Sequence, residues 1–142
     1  MVEEKYMKTL SKLGLLCSMI AIFTFSAPLG ASDQYGDEWK ISVSGNATNA
    51  GSISFTLTFE PDSGGNAGDP ITVDAQIAAN TSEEDIVSLI GDSVSTALGE
   101  DDFDVDIAWG GQIRVAAEED TPNFALTITN NTLQGVSIKI KE

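Results

Sequence analysis

The sequence predicts an α+β fold: a mostly antiparallel sheet, or a sandwich-like domain, of about seven strands with one amphipathic helix. Two observations lead there. Runs of apolar–polar alternation lie on both sides of a single stretch with helical spacing, so strands come in groups rather than in repeated βα units. Stretches rich in glycine, asparagine and aspartate separate those runs, which is turn composition.

Taken in order, Trp39, Ile41 and Val43 alternate with Lys40, Ser42 and Ser44, a strand with one buried face. "GNATNAG" turns the chain, and "SISFTLTFE" then sets Ile53, Phe55, Leu57 and Phe59 against Ser54, Thr56 and Thr58. β-branched and aromatic residues suit such a strand. "PDSGGNAGDP", residues 61–70, reads as a flexible loop without an element of its own, and Ile71, Val73, Ala75 and Ile77 form a third strand.

The helix follows in "NTSEEDIVSLIGDSVSTALG". Thr81 or Ser82 caps its start, with Glu84 or Asp85 placed as in a capping box, and the acids of the first turn suit the positive end of the helix dipole. Ile86, Leu89, Ile90, Val94, Ala97 and Leu98 make the apolar stripe, and Gly99 stops the helix. Gly91 sits inside the helix, where it disfavours helix formation but permits close approach to a sheet. Four further strands are expected at residues 103–108, 113–117, 124–129 and 136–141.

The beginning of the chain has the layout of a secretory signal peptide. Lys8 and Lys12 form its positive region, residues 13–25 its apolar region, and Gly30, Ala31 and Ser32 are small. Met7 would serve equally as a start, and cleavage is expected near Ala31, with Gly30 or Ser32 as the neighbouring ends. The alternative is an uncleaved anchor, for which the apolar run is short. Residues 32–38 read as an acidic leader and residues 39–142 as one β-rich domain. About 110 residues suffice for a single core. The sole cysteine, Cys17, lies in the apolar region, so processing leaves a chain without disulfides. The expected location is outside the cytoplasm: extracellular, cell-surface or periplasmic.

Of the chain's 22 acidic and 7 basic residues, 20 and 4 lie from Ser32 onward. That charge opposes nucleic acid and anionic membrane surfaces, so neither is an expected partner. There is no histidine, and no Gly-rich phosphate motif follows a strand. Zinc, haem, thiol and serine–histidine chemistry therefore lack their groups, and no enzymatic activity is expected. Asn46, Asn80 and Asn130 begin N-glycosylation patterns of the kind that a chain rich in Asn, Ser and Thr contains by chance.

"DDFDVDIAWGGQIRVA" is the stretch with most to say. Phe103, Val105 and Ile107 must share a face with Ile113, Val115 and Ala117. A two-residue Gly-Gly turn would bring Arg114 inward. A three-residue loop, Trp109-Gly110-Gly111, sets Ile107 opposite Ile113, Val105 opposite Val115 and Asp106 opposite Arg114. Slipping a register by one residue inverts every side chain, so the apolar pattern selects the longer loop. Arg114 is then expected to neutralise Asp106. Asp102, Asp104 and Asp106 share a polar face and are the candidate ligands for Ca²⁺, the one cofactor considered. Trp109 is a candidate stacking contact at the hairpin tip.

Residues 71–128 resemble the small β-β-α-β-β inserts of flagellin- and hook-type proteins and of phage tail proteins. The likeness lies in "ITVDAQI", in the capped helix "TSEEDIVSLIGDSV", and in the hairpin "FDVDIAWGGQIRVAAEED" with its Gly-Gly turn. It covers under half of the chain. The chain differs in its signal-peptide layout and lacks the long helical termini of flagellins. The resemblance implies a surface or structural module without catalytic residues to carry over.

The expected function is thus a secreted, non-catalytic structural or assembly module working through self-association or a protein partner. The alternatives are a calcium-dependent carbohydrate- or protein-binding module, or a small secreted inhibitor inserting residues 61–70. "GVSIKIKE" is expected to be an edge strand in which Lys139 and Lys141 discourage pairing.

Overall fold

Strand β1, Glu38–Ser44, buries Ile41 and Val43 and turns Lys40 and Ser44 to solvent. The computed structural model describes residues 34–142, and the signal-peptide reading lies outside them. β2 (Gly51–Phe59) and β3 (Ile71–Ile77) follow, then helix α1 (Glu83–Leu98). β4 (Phe103–Ala108), β5 (Gln112–Ala117), β6 (Phe124–Asn131) and β7 (Ser137–Lys141) complete the chain.

The seven strands form two antiparallel sheets, one ordered β4-β5-β1-β7 and the other β3-β2-β6, giving an α+β fold. Inward side chains of both sheets meet in one core with Ile86, Val87, Ile90, Val94 and Leu98 of the helix. The helix lies along the seam between β3 and β4. No described helix is long and apolar enough to cross a membrane.

The acidic leader does not stop short of the fold. Gly36 exchanges two backbone hydrogen bonds with Phe124, at 3.0 and 2.9 Å, and Ala117 N donates to Asp37 O. The two Gly36 bonds and the Trp39 Nε1 bond to Phe124 O, 2.7 Å, tie the start of β1 to the opposite sheet, while the Asp37 bond extends its own ladder with β5.

One expectation needs correction here, the buried face of the helix. Ser82 caps it, accepting from Asp85 N, but its buried face is Ile86, Val87, Ile90, Gly91, Val94 and Leu98. Leu89 is 40% exposed and Ala97 faces solvent. A Cβ on Gly91 would stand 3.0 Å from Ile107 Cδ1. Contact with β4 therefore needs the glycine inward, and this rotates Leu89 out. Residues 61–70 form no helix or strand, as expected, and their turn is braced. Asp62 Oδ1 accepts from Gly64 N and Asn66 N at 2.8 and 2.9 Å, and these bonds to Asn66, then Gly64, hold its carboxyl below the ordinary range.

Asn46 has a structural use beyond its glycosylation pattern. Its Oδ1 accepts from Glu83 N at the start of α1, while Glu83 Oε2 accepts from Gly45 N. The helix start is thus fastened to the turn after β1, satisfying donors that a helix terminus otherwise leaves unpaired.

Candidate functional site

The β4–β5 hairpin has the register that its apolar pattern requires. Val105 pairs with Val115, Asp106 with Arg114, Ile107 with Ile113 and Ala108 with Gln112. The three-residue loop runs through Gly110 and Gly111 at φ 86° and 75°. Val43 N donates to Gly111 O at 2.9 Å, so the tip is anchored on β1.

Arg114 keeps its expected cross-strand ion pair with Asp106 and adds two closer carboxylates. Its Nε donates to Glu38 Oε2 at 2.7 Å and its Nη1 to Asp104 Oδ2 at 2.8 Å, whereas Asp106 stands at 3.6 Å. The reason is the strand on its other side. Lys40 of β1 is the direct partner of Arg114 across the β1–β5 ladder. Glu38, two residues before Lys40 on the same face of β1, sets a carboxylate diagonal to Arg114 that relieves the repulsion of two cations abreast by holding both. Lys40 Nζ in turn bonds Glu38 Oε1 at 2.8 Å. Lys40, and after it Arg114, hold the Glu38 carboxyl below its ordinary value of 4.5, and Glu38 then Asp104 raise Arg114.

A depressed carboxyl stabilises the fold at pH above its unfolded value, and that stabilisation is lost as pH falls through the folded value. For Glu38 the window opens near 4.5 and runs downward. In Arg114→Met, the loss in melting temperature relative to wild type should be largest above this window and shrink through it. A difference constant across the acid range would rule out the ion cluster as its source.

The candidate calcium ligands are not brought together. Asp104 and Asp106 converge on Arg114. Asp102 lies in the turn before β4 and lines a shallow hollow with Phe59, Ile71, Phe103 and Asp120. Among the described residues no three acidic side chains are grouped to hold a metal ion.

Trp109 is fully exposed at the hairpin tip, and Ile107 beside it is 53% exposed. With Val87, Ser88, Ala108, Glu83 and Glu84 they line a cleft of about 520 Å³ between the tip and the first turns of α1. Ile107 and Val87 belong to this surface although alternation placed Ile107 inside. β4 has no strand beyond it to cover that side chain.

The charge distribution was also missed. Among the described residues the four cations, Lys40, Arg114, Lys139 and Lys141, all lie on the outer face of the β4-β5-β1-β7 sheet. Their alternation with buried Ile41 and Ile113 and with half-buried Ile138 and Ile140 was the available signal. The outer face of the other sheet carries hydroxyls instead. Thr127 Oγ1 donates to Thr56 O at 3.3 Å, so part of that row bonds within the sheet.

Fold and site together define a small α+β domain of two antiparallel sheets and one helix, with an exposed hairpin tip. No protein-family model, no curated protein and no solved structure matches the chain.

Proposed function

We propose that this chain is an exported, non-catalytic module that acts by protein–protein contact in a cell-surface or extracellular assembly. The observation that carries the reading is the fully exposed Trp109 on a hairpin tip anchored to β1. An aromatic ring held in water beside an exposed isoleucine offers apolar area at low entropic cost, as contact residues do. The signal-peptide layout supports export. The lack of histidine anywhere and of cysteine after residue 17 supports a role without chemistry. The resemblance of residues 71–128 to flagellin- and phage-tail-type inserts points the same way.

The test is a photo-reactive side chain at position 109, activated in intact cells that express the chain. Discrete covalent adducts are expected, on a chain whose mass corresponds to a start near Ser32. A chain that keeps its full mass inside the cell, or that gives no adduct, would sink the proposal. Millimolar Ca²⁺ should leave the melting temperature unchanged, because Arg114 already engages Asp104 and Asp106. A ligand held only by the folded state would raise it.

A further inference from the structure

We propose that copies of this chain join head to tail by sheet extension, β7 of one copy pairing antiparallel with β4 of the next. The proposal rests on the contact reading above and names its partner, a second copy.

β4 and β7 are the two outer strands of one sheet. Among the described residues, neither strand's backbone forms a hydrogen bond outside its ladder with β5 or β1. Both edges therefore offer unpaired backbone groups to another strand, β4 with helix α1 packed against it. Their outer faces carry opposite charge. β4 presents Asp104 and Asp106, and β7 presents Lys139 and Lys141, which form no ion pair among the described residues.

Direction and register agree. Every pairing in this sheet is antiparallel, so β4 and β1 run one way and β5 and β7 the other. A copy displaced across the sheet thus brings its β4 antiparallel to β7. Placing Lys139 opposite Asp106 sets Lys141 opposite Asp104. The same register sets Ile138 opposite Ile107 and Ile140 opposite Val105. A slip of one residue would turn the lysines against apolar side chains. The next copy's Ile107, half-exposed beside its cleft, gains cover from Ile138.

The alternatives are disfavoured by the same charges. β7 against β7 opposes lysine to lysine, and β4 against β4 opposes aspartate to aspartate. Within this sheet the unlike edges match, and this contact leaves one free edge at each end. Such a contact propagates rather than closing at two copies.

The experiment is light scattering on the purified chain across concentration and salt. Wild type should grow beyond a dimer with concentration and shrink as salt rises. Lys139→Asp with Lys141→Asp should weaken association about tenfold or more, with an unchanged melting temperature. Added in small amount to wild type, this variant still offers β4 and should cap growth and lower the mean mass. Asp104→Asn with Asp106→Asn keeps polar groups near Arg114 and should weaken association from the other edge. A wild type that stays monomeric, or stops at a dimer, overturns the proposal. Undiminished assembly by the lysine variant also overturns it, and leaves the contact reading standing through another face. Adducts at position 109 from a different protein, with a monomeric chain, would likewise separate the two.

Discussion

Replacing Phe124 with alanine is expected to cost about 4 kcal/mol of folding stability, the middle of the range for a buried phenylalanine. Phe124 is completely buried. Its ring meets Phe103 edge-on, at a centroid distance of 5.3 Å and an angle of 87°. Phe103 meets Phe59 in turn at 6.2 Å. These rings come from both sheets, so truncation opens a void in the core that joins them. The backbone of residue 124, bonded to Gly36 and Trp39, holds the cavity walls in place and limits their collapse. Without a disulfide among the described residues, that loss is a large fraction of the total of about 5–15 kcal/mol typical of a small domain. Urea unfolding should show the midpoint falling with an unchanged slope. A loss below about 1.5 kcal/mol would mean that the neighbouring rings refill the space.

The second large effect is expected at Gly111, with Gly110 as its internal control. Both have positive φ, and an alanine at either position carries the left-handed backbone penalty of about 1–2 kcal/mol. Gly110 has nothing within 4 Å of an added Cβ, so Gly110→Ala should cost little more than that. At Gly111 the Cβ would stand 2.7 Å from Val43 O and 3.2 Å from Glu83 Oε1. The loop must then lift from β1 and release the Val43–Gly111 bond. Gly111→Ala should therefore cost about 3 kcal/mol. Thermal or urea unfolding of the pair checks this. Equal losses would show that the contact with β1 is not what confines the loop. The consequence extends to Trp109, whose position depends on the same anchor.

The strand of residues 51–59 was legible because its apolar side chains keep a period of two without interruption. The hairpin was legible to the residue, because only one loop length keeps Ile107, Val105, Ile113 and Val115 on a common face. Ser82 and Asp85 announced the helix start, since both act within one turn of chain. The helix face was misjudged because Ile86, Ile90, Val94 and Leu98 fit two neighbouring stripes. Leu89 favoured one by its size, and Gly91 decided for the other by its lack of size.

What the sequence determined by itself is local: which segments alternate, where they turn, and which hairpin register buries apolar side chains. These follow from steric preferences and periodicity within about a dozen residues. Only the tertiary structure decided which strands are neighbours. It set β1 between β5 and β7, so that Lys40 lies beside Arg114 and the Glu38 carboxylate bridges the two. It left β4 and β7 as the outer edges of one sheet, which gives the aspartates of one and the lysines of the other a geometric relation. It gathered the four described cations on one face. The physical reason is that strand order depends on how two sheets and a helix cover one another's apolar faces. That is a property of the whole core, which no local stretch encodes.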